Sequence, residues 1–153
     1  MVCSMNIADY LSEKAVLPDM KAQNKDEALA ELAAPLLALH PELAGSDLVH
    51  VLCEREKLGS TAVGDGVALP HGKVPGLTRL ALAMGRSQDG VDFAAPDKGL
   101  CRLFFLILAP EGGAGQHLRL LAQIARRVKE PVLRSELLLA ESREQLYHAL
   151  LTP

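Results

Sequence analysis

Residues 64–72 read Gly-Asp-Gly-Val-Ala-Leu-Pro-His-Gly, and the reading of the whole chain turns on them. A short apolar run, Val67-Ala68-Leu69, leaves a flexible Gly-Asp-Gly segment and stops at Pro70. Proline fixes its own φ, donates no N–H, and pushes the preceding residue towards an extended conformation. The expectation is a strand that ends at His71, presenting one imidazole at a rigid strand end. Gly72 follows and has no side chain to block access. Imidazole changes charge near neutral pH and is a nucleophile when neutral. A solitary histidine also serves as a surface or core group, and the Gly and Pro flanks are what favour function here.

Further along, residues 103–108 read Leu-Phe-Phe-Leu-Ile-Leu, a continuous run that predicts a strand buried on both faces. Residues 80–87 predict another strand. Residues 15–21 are a weaker strand candidate interrupted by Pro18, and residues 7–11 a short helical turn. Asn24 predicts a helix N-cap with Glu27 at the capping-box position, followed by the stripe Leu29, Leu32, Leu36 and Leu39. Pro35 inside that stripe predicts a kink or a split. Ser46 is expected to cap a second helix, with Leu48, Val49 and Leu52 inward and an end near Gly59. A third helix follows the loop at 110–115, with Leu118, Leu121, Ala122, Ala125 and Val128 on one face. Pro131 opens a fourth. Ser142 and Gln145 form the capping box of a fifth, with Leu146 and Leu150 inward. Strands interleaved with helices predict an α/β fold, a sheet flanked by helices on both faces.

The 153 residues suit one domain, and 49% apolar residues suffice for a sizeable core. Aromatic residues are 3% of the chain, so Leu, Ala and Val must build that core. The net charge of −3 argues against a nucleic-acid partner. Cys3, Cys53 and Cys101 show no CxxC spacing, which suggests neither a disulfide framework nor a zinc cluster, and Cys53 and Cys101 sit in apolar runs as buried thiols would. Asp9 and Glu13 lie where a signal peptide needs an apolar segment, and the run at 103–109 is too short to span a bilayer. The expectation is a cytoplasmic protein with no membrane insertion. No GxxxxGK[ST] and no GxGxxG is present, so no nucleotide or other cofactor is implied.

The stretch from Glu56 to Gly72, Glu-Lys-Leu-Gly-Ser-Thr-Ala-Val-Gly-Asp-Gly-Val-Ala-Leu-Pro-His-Gly, resembles the active-site signature of type-2 EIIA domains of the bacterial phosphotransferase system, the fructose/mannitol/nitrogen class. That signature asks for an acidic or amide residue (Glu56), an aliphatic-small pair (Val63-Gly64), aliphatic-Ala-aliphatic (Val67-Ala68-Leu69), Pro-His (Pro70-His71) and a small residue (Gly72). Residues 55–58, and residues 109–111 running on to His117-Leu118-Arg119-Leu120-Leu121, are also similar to the family. The resemblance covers residues 6–150, one EIIA type-2-like domain. It implies a mixed parallel/antiparallel sheet, while the strand order stays open.

The resemblance implies that His71 accepts a phosphoryl group from an HPr-type phosphohistidine protein, forming a covalent phosphohistidine intermediate. Phosphoryl transfer needs mainly positioning and electrostatic stabilisation, and the donor is already activated. The resemblance also places a second histidine beside the first, and His117 fits. It opens a helix after a glycine-rich loop, where free N–H groups and the helix dipole favour an anion and a neutral imidazole that donates one hydrogen bond. Arg55 is the third candidate, because guanidinium forks onto phosphate oxygens. A solvated helix-end charge is the bland alternative. Glu56 and Lys57 read as surface charges. Thr61 and Asp65 could orient His71 or bond the phosphoryl group, but both are ordinary turn residues. The rim around His71 is expected to be small or apolar: Gly64, Gly66, Val67, Leu69, Gly72 and the loop at 112–115.

Within the family, sugar-specific EIIA proteins pass phosphate to an EIIB domain, and the nitrogen-related type regulates target proteins by binding. No EIIB, EIIC or HPr segment adjoins residues 6–150, which favours the regulatory type. Two rivals remain at this point: a binding module never phosphorylated on His71, and a metal-dependent hydrolase using His50, His71 and His117. His40, His50 and His148 pair with nothing at ligand spacing.

Overall fold

The computed structural model describes residues 6–112 and 115–152. A 3-10 turn at Ile7–Asp9, capped by the Asn6 side chain, leads into β1 (Leu11–Leu17). The strand thus starts earlier than the apolar pattern suggests and closes before Pro18, which could not donate to a ladder.

Helix α1 (Lys25–Leu39) opens on the expected cap: Asn24 accepts from the Glu27 N–H at 2.9 Å, and the Glu27 carboxylate accepts from the Gln23 N–H and the Asn24 amide. It is not split at Pro35. Leu32, Ala33 and Leu36 are buried on either side of the proline, and this packing outweighs the one lost ladder bond. Helix α2 (Leu48–Lys57) begins after Asp47 rather than at Ser46, whose hydroxyl donates to the Leu43 carbonyl at 2.6 Å instead.

Five further strands and three helices follow. They are β2 (Ala62–Gly64), β3 (Val67–Ala68), β4 (His71–Val74), β5 (Ala81–Val91), β6 (Cys101–Pro110), α3 (Gln116–Val128), α4 (Pro131–Leu139) and α5 (Arg143–Leu151). Pro131 opens α4, and Ser142 caps α5 through the Gln145 N–H, both as expected.

The sheet order is β1-β5-β6-β3-β2, with β4 also on β6. β5 and β6 are antiparallel, β1 runs parallel to β5, and β3 and β4 run parallel to β6. The sheet is therefore mixed. Residues 81–87 of β5 and 103–109 of β6 are buried without alternation, so both faces are covered. Helices α1 and α2 form one layer, and α3, α4 and α5 the other. Phe93, Phe104 and Phe105 are the bulkiest fully buried side chains in a core otherwise built mostly of Leu, Ala and Val.

The Gly-Asp-Gly segment is a two-residue hairpin between β2 and β3, with φ of 57° at Asp65 and 75° at Gly66. Positive φ at both positions matches the strand twist, and Asp-Gly tolerates it best. Among the described residues no helix is long and apolar enough to cross a membrane. Cys101 is buried, which pushes its thiol up to about 11, while Cys53 is half-buried and Cys3 lies outside the described residues.

Candidate functional site

β3 and β4 lie end to end along one edge of β6. Val67 and Ala68 face Leu103 and Phe104; His71 and Gly72 face Ile107 and Leu108. His71 therefore begins a strand rather than ending one. The break falls at Leu69-Pro70, because proline has no N–H for the ladder, while the Pro70 carbonyl still accepts from the Ile107 N–H at 3.0 Å. Within this break the Leu69 carbonyl lies 2.9 Å from Nδ1 of His71. A carbonyl only accepts, so Nδ1 carries the proton of the neutral ring and Nε2 keeps its lone pair.

His71 is half-buried and opens on a groove of about 430 Å³. Arg55, Ser60, Thr61 and Val63 line one side; Leu118, Leu121, Ala122 and Ala125 of α3 line the other. The α3 residues correct the sequence reading. The side chains of α3 that enter the core are Leu120, Ile124 and Val128, whereas Leu118 is 58% exposed. Helix α3 thus carries two apolar stripes, one fully buried in the core and one along the groove, where Leu121 and Ala125 also pack on the core as the sequence predicts while Leu118 stands exposed.

The rim also differs from expectation. Leu69 lines the groove, but Val67 is buried in the sheet. Gly72 gives no access to His71: a Cβ there would point at α2, 3.3 Å from Cδ2 of Leu52, so its bareness serves close packing. Gly113 and Ala114 of the expected rim lie outside the described residues.

His117 is the second residue of α3, just after Gly115, and is half-buried. Burial holds its imidazole below the ordinary 6.5, and the charges of Lys73 and then His71 push in the same direction. The expected direction holds, with burial as its leading cause. His117 itself is not among the residues that line the groove beside His71. Lys73 has no place in the sequence reading, although period-two alternation from His71 along β4 points to it.

Arg55 sits in the last turn of α2 and donates Nη1 to the Gly59 carbonyl at 3.1 Å. Its guanidinium bonds a carbonyl, not a carboxylate, and lines the same groove as His71. Glu56 is not a surface charge. It is 6% exposed, its carboxylate accepts from the Thr61 N–H and hydroxyl, and Lys25 pairs with it at 3.3 Å. Lys57 is exposed and pairs with Glu54. Asp65 occupies the exposed hairpin turn, 3.9 Å from Arg134, outside the groove lining. Among the described residues no three His, Cys, Asp or Glu side chains are grouped to hold a metal ion.

This fold is that of phosphotransferase-system enzyme IIA proteins. The chain superposes on the crystal structure of nitrogen regulatory protein IIA-Ntr from Neisseria meningitidis with a TM-score of 0.84 and 32% identity, covering 94% of this chain and 98% of that one. It shares the fold of mannitol enzyme IIA of Escherichia coli, solved in complex with phosphorylated mannitol enzyme IIB, at a TM-score of 0.77 and 20% identity, covering 92% and 96%. In sequence it is 40% identical over 152 residues to the nitrogen regulatory protein of Bradyrhizobium diazoefficiens, covering 97% of each chain. Residues 9–152 match the family described as phosphoenolpyruvate-dependent sugar phosphotransferase system, EIIA 2, and the chain belongs to that family.

Proposed function

We propose that this protein is a histidine phosphocarrier that takes a phosphoryl group on Nε2 of His71 from an HPr-type phosphohistidine protein, and that its phosphorylation state regulates a target protein. The observation that carries this reading is the His71 ring itself: Nδ1 bonded to the Leu69 carbonyl, on a half-buried residue that lines a mostly apolar groove. Nε2 attacks phosphorus, the P–N bond of the donor breaks, and its electron pair returns to the donor imidazole. The donor ring, protonated on its other nitrogen, leaves neutral. The His71 ring becomes cationic as the new bond forms, and the Nδ1–H bond to Leu69 strengthens because one partner is now charged. Arg55 and His117 supply donors to the phosphoryl oxygens.

The 40% identity to a protein named as a nitrogen regulator supports the regulatory role. A phosphoryl group adds roughly −1.5 to −2 charges. Beside apolar Val63 and Leu118 that charge must be desolvated against a docked partner, so the two forms are distinguishable. The alternative is phosphate relay to an EIIB domain in fructose- or mannitol-type transport. An enzyme IIA of this fold has been solved with a phosphorylated IIB partner.

Incubation with phosphoenolpyruvate, enzyme I and HPr is expected to add one phosphate, read by mass spectrometry, and none to His71→Ala. A regulatory target captured from lysate is expected to bind the unphosphorylated form and His71→Ala, and to bind His71→Asp weakly. Equal affinity for both forms would leave relay to EIIB as the better account.

A further inference from the structure

The carboxylate of Glu56 does not line the groove, yet it heads a chain of bonds that ends on His71. Its Oε2 accepts from the Thr61 hydroxyl at 2.6 Å and its Oε1 from the Thr61 N–H at 3.1 Å. Lys25 Nζ, 3.3 Å from Oε1, balances the charge, as a buried carboxylate requires. The Leu69 N–H then donates to the Thr61 carbonyl at 3.0 Å, and Nδ1 of His71 donates to the Leu69 carbonyl at 2.9 Å. Leu69 belongs to neither β3 nor β4, so the ladder on β6 does not fix it directly. Thr61 holds it from one side.

Which ring nitrogen of a histidine carries the proton is set by the bond the other makes. Here that bond depends on where the Leu69 carbonyl stands, and the Leu69 peptide is tied to Thr61. Thr61 is fixed by two bonds to a single buried carboxylate, a stiff arrangement. We propose that Glu56 is a positioning residue: by fixing Thr61 it places the Leu69 carbonyl, keeps the His71 proton on Nδ1, and leaves Nε2 free to react. The kinetic part of this proposal rests on His71 being the phosphoryl acceptor; the tautomer part does not. Glu56 touches no substrate and acts wholly through its neighbours.

The test uses three variants and two readouts. Glu56→Gln keeps the tie: its carbonyl oxygen can accept from the Thr61 N–H and Lys25, and its amide can donate to the Thr61 hydroxyl. Glu56→Ala removes the tie, and Thr61→Val deletes one hydroxyl at nearly constant shape. The first readout is the tautomer of His71, from nitrogen-15 chemical shifts of the neutral ring. The second is phosphoryl capture from phospho-HPr.

Wild type and Glu56→Gln are expected to show the Nδ1–H tautomer and similar capture rates. Glu56→Ala and Thr61→Val are expected to populate the Nε2–H tautomer. If the competent form falls to about one tenth, the maximal rate falls about tenfold with KM for the donor unchanged. Should Glu56→Ala not fold, Thr61→Val decides. Lower melting temperatures with the Nδ1–H tautomer intact in the folded variants would make Glu56 a stabilising residue only, and overturn the proposal. Loss of the tautomer in Glu56→Gln would overturn it too, since charge rather than position would then be at work. A shifted tautomer in a protein whose wild type takes no phosphate would uphold the positioning role and remove His71 as acceptor.

Discussion

Nδ1 of His71 and the carbonyl of Leu69 stand 2.9 Å apart, two residues along one chain, joined across a proline. The phosphoryl group is therefore expected on Nε2. The product is a phosphoramidate, so protonation makes its nitrogen a good leaving group: the label is expected to be lost in acid and kept in alkali. His71→Ala is expected to fold and take no phosphate. Acid treatment of the labelled protein and phosphorus NMR of the ring check both statements. An acid-stable label would point to Ser60 or Thr61 in the same groove.

His117→Ala is expected to be phosphorylated slowly, still on His71. Losing a hydrogen bond to a charged group costs roughly 1.5–3 kcal/mol, about ten- to a hundredfold in rate if the bond forms only in the transition state. Quench-flow with labelled donor measures it, and wild-type speed would reduce His117 to a helix-end residue.

The His117 ring also gives the protein a pH-dependent stability. Its folded value lies below 6.5. As pH falls through 6.5 the unfolded chain takes up a proton that the folded chain refuses, so stability present above 6.5 is lost until the folded value is passed. Denaturant midpoints of wild type are expected to fall over that window relative to His117→Gln, and parallel curves would contradict it.

Arg55→Ala is expected to lose the Gly59 tie, about 0.5–1.5 kcal/mol of stability, and at least about tenfold in transfer rate. Arg55→Lys keeps the charge without the fork and is expected to restore only part of the rate. Unfolding curves and transfer kinetics, taken together, separate the two losses. Rates equal to wild type in both variants would leave Arg55 a structural residue.

The two stripes of α3 are expected to separate in mutagenesis. Leu118→Asp, on a side chain 58% exposed, should stay within about 0.5 kcal/mol of wild type and raise KM for the donor by placing a charge in the groove. Leu120→Ala, fully buried, should cost about 2–5 kcal/mol and leave KM alone. Titration with donor and chemical unfolding of both variants decide the matter; a KM effect confined to Leu120→Ala would reverse the assignment.

The features legible in the sequence are those with local causes. Asn24 with Glu27, Ser142, Pro131 and the run at 103–108 each act through near neighbours, and the structure has them as expected. The misreadings have distant causes. His71 begins a strand because β6, far along the chain, offers it a partner. Glu56 is buried because Lys25, on another helix, neutralises it. Helix α3 has two apolar stripes, and only the position of β6 decides which of them is covered. Asp65-Gly66 was a local signal of a hairpin, hidden by glycines that read equally well as flexibility.

Dependence on β6 has a consequence for the newborn chain. β4 hydrogen-bonds to β6 and, among the described residues, to no other strand. β3 has only the short β2 hairpin until β6 arrives. A ribosome must therefore release residues beyond Pro110 before the strand that carries His71 can be seated. Parallel pairings between remote segments are late events in folding. The seating of His71 thus comes with completion of the sheet, so if His71 is the proposed acceptor, a half-made chain holds no organised one.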